Sequence, residues 1–511
     1  MAPPSRVALA ALLAVNGAAA LQIPLQQLLD TPRQLIWGDA SVSRPLVDSE
    51  TLQADIKTHA LKTRAEALWE VAKLSEDEYN HPTRVIGSKG HLGTLDYIYA
   101  ELLKLGDYYT LTRQGFPAVA GSVFESRLVI GNDVPESATP MGLTPATKDK
   151  QPVHGDLVLV KNSGCDAEDY PAEVAGNIAF IKRGVCAFGT KSDHAGRAGA
   201  VAAVVYNTDK EELHGTLGTP TPYHVATFGL GGEEGGKIAK KLADGEDIDA
   251  IAYIDAVVST IVTTNIIART VRGDQDHCVM LGGHSDSVAE GPGINDDGSG
   301  TISVLEVATQ LAKYDVNNCV QFGFFAGEEE GLLGSDYFVS SLTDDEKSKI
   351  ALFMDYDMMA SPNFAYQVYN ATNEENPAGS AEIKQLYIDW YEAHDLNYTL
   401  IPFDGRSDYD GFIRNGIPGG GVACGAEGVK TKEEQEMFGG EAGEWFDSCY
   451  HQLCDDLNNV NYTAWQTNTE LIAHSVATYA LSLDSLPKRE QSFKADTYDQ
   501  KVKNHGHKLV M

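Results

Sequence analysis

The chain has 511 residues, 43% of them hydrophobic, enough to bury a full core spread over roughly two to four domains. It carries 39 basic and 73 acidic residues, a formal net charge of −34. A nucleic-acid-binding protein needs the opposite sign, so no nucleic-acid partner is expected, and the dispersed acidity favours a soluble monomer.

At the N-terminus, Arg6 precedes an apolar run from Val7 to Val15 and then Ala18-Ala19-Ala20. This reads as a secretory signal, residues 1–20, cut after Ala20 and too short to span a bilayer. No other segment is apolar for long enough to cross a membrane, so no membrane partner is expected. The expected location is extracellular, with the vacuole as the alternative. Secretion permits disulfides. Of the seven cysteines, Cys449 and Cys454 are expected to pair, and so are Cys165 and Cys186. Cys278 and Cys319 read as buried thiols or a third bond, which leaves Cys424 over. Asn370, Asn397 and Asn461 head Asn-X-Ser/Thr sequons and are expected glycosylation sites.

Residues 21–115 read as the N-terminal part of a larger domain, with Pro24, Pro32 and Pro45 as breaks and room for a pro-segment. Leu92, Leu95, Ile98, Tyr99, Leu102 and Leu103 are spaced for one face of a helix. Over 116–262 short β-type runs (126–130, 156–160, 177–181, 200–206) alternate with Gly and Pro turns around a Gly/Ala-rich helix at 192–200. Gly231 to Lys237 nearly matches a phosphate loop. Ile238 stands where a magnesium-binding Ser or Thr is needed, however, and Glu233 and Glu234 repel phosphate. The stretch is read as a separate, non-catalytic β-rich module.

From 263 to 487 the pattern becomes strand, helix, strand, helix, with strands at 278–283, 319–326 and 350–354 and helices at 300–314 and 331–342. Such alternation predicts an α/β fold with a largely parallel, mixed sheet and flanking helices. Residues 488–511 form a tail. Ligands of such sheets bind beyond the carboxyl ends of the strands. Here His284 and Asp286 follow the first strand, Glu328-Glu329-Glu330 the second, and Asp355 and Asp357 the third. Asn295, Asp296 and Asp297 arrive at the same rim on the loop after Gly291-Pro292-Gly293. Taken alone, His284 and these acids read equally well as caps and core polars. Together, so many carboxylates at one rim repel each other unless cations neutralise them. Two divalent ions bridged by a carboxylate balance the charge better than one. No His-Glu-x-x-His and no Gly-x-Ser-x-Gly is present, so the common single-zinc and serine-hydrolase signals are missing.

The segments Gly-Gly-His-Ser-Asp-Ser-Val, Gly-Pro-Gly-Ile-Asn-Asp-Asp-Gly-Ser-Gly, Phe-Phe-Ala-Gly-Glu-Glu-Glu-Gly-Leu-Leu-Gly-Ser, Asp-Tyr-Asp-Met-Met-Ala-Ser-Pro-Asn, Phe-Asp-Gly-Arg-Ser-Asp-Tyr and Cys-Tyr-His-Gln-Leu-Cys-Asp span 282–456. In that order they resemble the secreted di-zinc aminopeptidases, the fungal leucine aminopeptidase and aminopeptidase-Y-like group. The middle module, with Asn-Ser-Gly-Cys and Ile-Lys-Arg-Gly-Val-Cys-Ala-Phe, resembles an inserted protease-associated (PA) domain. The resemblance implies two Zn2+ per chain, with His284 and Asp357 on one, Glu329 and His451 on the other, and Asp296 bridging both. It implies Glu328 as general base, Asp286 orienting His284, Tyr450 donating to the developing oxyanion, Arg406 near the substrate, and a cis bond at Asp296–Asp297. The implied substrates are peptides with a free N-terminus and leucine-like first residues. A di-zinc carboxypeptidase of the glutamate carboxypeptidase type and a metal-free receptor-like protein are the alternatives.

Overall fold

Val279, Met280 and Leu281 are each 0% exposed, and they form the middle of a strand, β8 (Asp274–His284), that runs through the core. A continuous apolar run of this kind is buried on both faces only inside a sheet covered on both sides. β8 lies parallel to β9 (Asn318–Phe325) on one edge and to β10 (Ile350–Tyr356) on the other. Next outward from β10 come β13 (Gly419–Ala423), parallel, then β11 (Gln367–Tyr369) and β12 (Thr399–Ile401). The computed structural model describes residues 43–208, 213 and 215–488. The expected signal, residues 21–42 and nearly all of the C-terminal tail lie outside the described residues.

Helix Gly298–Leu311 packs on this sheet and buries Ile302, Val304, Leu305, Val307, Ala308 and Leu311. Asp297 caps its first turn by accepting from the Gly300 N–H. The helix start is pressed onto the end of β10, where a Cβ at Gly300 would stand 1.9 Å from the Tyr356 carbonyl oxygen. Helix Tyr462–Leu481 joins the same core, capped by Asn461. The N-terminal helices Ser49–Asp55 and Thr58–Ala72 add Leu52, Leu61, Ala65 and Leu68 to it. Helix Lys89–Leu103 forms where the apolar spacing predicts, but its buried face runs through His91, Thr94, Leu95, Ile98 and Leu102. Leu92 and Leu103 are exposed, because that face also holds polar side chains the apolar pattern does not register.

The β-rich module is carried by two strands of 22 residues each, β1 (Tyr109–Ile130) and β7 (Asp249–Thr270), paired antiparallel along nearly their whole length. The last third of β7 pairs with β9, next to β8, and its start pairs with β3 (Val153–Leu159). From β3 the module continues through β4 (Ile178–Lys182), β5 (Ala202–Tyr206), β6 (Thr227–Leu230) and the short β2 (Ala138–Pro140). Its cores, around Phe180, Val204 and Phe228 and around Phe188 and Val205, are distinct from the core beneath β8. The expected module edges at 116 and 262 therefore fall inside continuous strands. What changes there is the company the strands keep, not the path of the chain. Gly232–Ala243 is a plain surface helix in which Lys237 pairs with Glu233 at 2.9 Å.

Candidate metal centre

The carboxyl ends of β8, β9 and β10 open on one rim, and the side chains expected there converge. His284 ends β8 and is 1% exposed. Its Nε2 stands 3.2 Å from Asp296 Oδ1 and 3.8 Å from Asp357 Oδ1. On the far side of Asp296, Oδ2 is 3.1 Å from His451 Nε2, which is also 3.1 Å from Glu329 Oε2. One carboxylate thus faces two imidazoles through its two oxygens, with a further acid beside each. Glu328 lies on the His284 side, 4.0 Å from Nε2.

Asp296 and Asp297 are joined by a cis peptide bond and have different surroundings. Both oxygens of Asp297 are consumed by backbone donors: His284 N at 3.1 Å on one, Gly300 N at 2.8 Å and Met358 N at 3.1 Å on the other. Although Asp297 lies close to His284 and Asp357, a carboxylate engaged in three such bonds is a structural tie. Asp296 Oδ2, Glu329 Oε1 and Asp357 Oδ1, in contrast, are buried with no hydrogen-bond donor. Buried acceptors are ordinarily satisfied. Donor-free carboxylate oxygens beside two imidazoles fit divalent cations.

Asp286 is fully buried behind the site. Its Oδ1 is 3.7 Å from His284 Nδ1, an ion-pair distance rather than a hydrogen bond, and accepts from the Gly327 N–H at 2.8 Å. The N–H groups of Glu328 and Glu329 also point at its carboxylate, each at 3.3 Å. One carboxylate therefore ties the end of β8 to the acidic loop after β9. Burial alone would raise its pKa, but His284 and the Gly327 N–H hold it below the usual range. Burial raises the Glu328 pKa well above that of a free glutamate, and Glu329, Asp357 and Asp408 add to the shift. Such a carboxyl is poised to take up and release a proton.

Tyr450 stacks on the His451 ring, centroids 3.8 Å apart. Burial, with Asp296 and Glu329 nearby, raises its pKa well above the ordinary value, so it remains a phenol donor. Arg406 forms an ion pair with Glu427 at 3.0 Å and stands beside Tyr450. Cys449–Cys454 brackets the His451 turn, Cys165–Cys186 lies in the module, and Cys278–Cys319 links β8 to β9. Cys424 is free and buried.

Several site residues escaped the sequence reading. Asp455 accepts from the N–H groups of Asn295 at 2.9 Å and Asp296 at 3.0 Å. Asn459 donates to both Asp455 and Asp447, and Asp447 accepts from Asn295 Nδ2 at 2.7 Å. Ser407 donates to Asp357 Oδ2 at 2.9 Å, and Asp408 is fully buried next to it. Asp455 directly follows Cys454 in the quoted motif, a cue that was available. Ser407 and Asp408 likewise lie in the Phe-Asp-Gly-Arg-Ser-Asp-Tyr segment, whereas Asp447 and Asn459 lie outside every quoted segment and leave no periodic trace.

Residues 265–476 match the family model described as Peptidase family M28, and residues 153–238 match the PA domain. The chain is 50% identical over 458 residues to Aminopeptidase Y of Saccharomyces cerevisiae, covering 88% of this chain and 83% of that protein. It is 41% identical over 470 residues to the probable leucine aminopeptidase 2 of Aspergillus oryzae, covering 89% and 92%. Among solved structures, the aminopeptidase from Aneurinibacillus sp. strain AM-1 aligns with a TM-score of 0.68 at 24% identity, over 85% of this chain and 97% of that one, a likeness of fold.

Proposed function

The chain belongs to peptidase family M28 and is a metallo-aminopeptidase, and from that footing we propose that it is a secreted, two-zinc enzyme releasing leucine-like residues from the free N-terminus of peptides. The observation that carries the two-ion reading is Asp296, whose two oxygens face two different imidazoles at 3.2 and 3.1 Å. In this reading His284 and Asp357 would hold one zinc, Glu329 and His451 would hold the other, and Asp296 would serve both. The leucine preference rests on the names of the fungal relatives.

When bound, zinc supplies Lewis acidity for activating water and polarising a carbonyl. The chain's own groups do the rest. Glu328 takes the proton of the attacking water and delivers it to the leaving amine, a task its place beside His284, 4.0 Å from Nε2, suits. Tyr450 donates where negative charge develops on the carbonyl oxygen. Asp286 holds His284 and the Glu328–Glu329 loop in register. Carboxylates crowded at the rim give the substrate's α-ammonium a place to bind, which an internal peptide bond cannot use. Arg406, fixed by Glu427 beside Tyr450, is assigned to the substrate side.

Secretion is supported by the N-terminal Arg6 to Ala20 pattern and by six of the seven cysteines being paired, which needs an oxidising compartment. Glycosylation is assigned to Asn370 and Asn397, both exposed, and to Asn461, which caps its helix through its carbonyl oxygen. The proposed peptidase domain comprises 21–115, with room there for a pro-segment, and 263–487, with the PA domain at 116–262 inserted.

The test is a pair of substrates with one variant. The purified protein should cleave an aminoacyl anilide and leave an N-blocked dipeptide intact; activity on the blocked substrate alone would favour the carboxypeptidase alternative. Glu328→Gln should keep its zinc and lose ~10²–10⁴-fold in kcat. Near-full activity would remove Glu328 from the role of base.

A further inference from the structure

The loop that joins His284 to Asp296 is held by a residue some two hundred positions upstream, outside the region matched to the peptidase family, which starts at 265. Arg84 is fully buried. Its Nε donates to the Pro292 carbonyl at 2.8 Å, Nη1 to the Ser285 carbonyl at 2.5 Å, and Nη2 to the Gly293 carbonyl at 2.5 Å. Its backbone N–H donates to Ser287 Oγ at 2.9 Å. Around it, the Thr83 hydroxyl donates to the Val288 carbonyl at 2.8 Å, and His91 Nε2 lies 3.1 Å from Ser285 Oγ. Every one of these partners belongs to residues 285–293.

A buried guanidinium is costly to desolvate and is ordinarily matched by a carboxylate in contact. Arg84 has no such ion pair among the described residues. It spends its rigid fork on three neutral carbonyls of one loop, while Asp286, Asp297, Asp455 and Asp296 offset its charge from further away. That arrangement fixes the path of a loop. A lysine, with a single point of charge on a flexible stem, does not reproduce the planar fork.

We propose that Arg84 is a positioning residue for the metal centre: its guanidinium sets the 285–293 loop so that His284 and Asp296 present their ligand atoms to the same cation. The inference rests on the zinc reading above. It also makes the segment around residue 84 a working part of the active site and not a removable leader.

The experiment compares the full-length protein with Arg84→Lys, Arg84→Gln and Ser287→Ala. Zinc stoichiometry and affinity are measured by competition with a chromophoric chelator, kcat and KM on an aminoacyl anilide, and the melting temperature alongside. Both Arg84 variants should bind zinc ~10–100-fold more weakly, as when other supports of metal ligands are removed. At saturating zinc, kcat should fall while KM stays within about twofold, and lysine should not rescue. Folded Arg84 variants with wild-type zinc affinity and kcat would overturn the proposal, whatever their melting temperature. If neither variant folds without metal, refolding against free zinc decides: recovery only at ~10–100-fold higher zinc than the wild type needs supports the proposal, and no dependence on zinc overturns it, while Ser287→Ala, which keeps the guanidinium, should stay closer to the wild type. Wild-type protein that takes up no zinc would sink the two-zinc reading and this inference with it. Zinc in the wild type with unmoved variants would sink this inference alone.

Discussion

Adjacent residues of one type can have unlike tasks when backbone donors reach only one of them. Asp297 accepts three N–H groups and ties β8, the segment just after β10 and the Gly298–Leu311 helix together. Asp296 is left with an oxygen no donor meets. The same logic separates Asp286 from Glu328. Asp286→Asn should weaken zinc binding ~10–100-fold, measurable by chelator competition, because it disturbs His284 and the acidic loop together. Glu328→Gln should leave zinc binding unchanged. Equal zinc affinity in Asp286→Asn and wild type would show that the Asp286–His284 approach at 3.7 Å carries no weight. Among the ligand candidates, His284, Glu329 and Asp357 were legible because they follow strand ends, while Asp296 and His451 were legible through the local motifs that carry the resemblance. The partners of Arg84 were not, since they lie 201 to 209 positions away and nothing local marks them, and the bonds of Asp447 to Asn295 and of Ser407 to Asp357 span 152 and 50 positions.

Among the elements, strands and helices of the catalytic half appear within a few residues of where hydrophobic runs put them. The exceptions have physical causes. β1 and β7 are longer than any periodic run suggests: β7 passes from β3 to β9 along its length, β1 follows it throughout, and the pattern of burial changes with that passage. The N-terminal helices gave only a mixed signal, yet Leu52 and Ile56 are 0% exposed. Leu52→Ala should cost about 2–5 kcal/mol, read as a lower urea midpoint; a loss under about 0.5 kcal/mol would mean the segment is not part of the folded unit. His474, on the Tyr462–Leu481 helix, accepts or donates to Ser49 Oγ at 2.8 Å and so joins that helix to the N-terminal segment. Burial, with His394 adding to it, lowers its pKa from 6.5 to about 4. Between those values the unfolded chain binds a proton that the folded chain does not, so stability falls as pH drops through this window and is fully present above it. Unfolding midpoints at about pH 7 and about pH 4.5 should differ less in His474→Gln than in the wild type.

At the scale of the whole molecule, one long strand, β7, pairs with β9 at one end and β3 at the other, so a module with its own cores rides on the peptidase without breaking the peptidase sheet. Hydrogen exchange should therefore resolve the module's amides from those of β8, β9 and β10, with the latter the slower set. The shared strands also explain why module edges were placed by texture rather than by a visible linker. All of the catalytic reading depends on His284, Asp296, Glu329, Asp357 and His451 forming one cage for two ions. Zinc stoichiometry at saturation, by elemental analysis after removal of loosely bound metal, tests that most directly. Two ions per wild-type chain, and one in His451→Ala, are the predicted results. A wild-type chain that saturates at one ion or none, while fully active, would contradict the account.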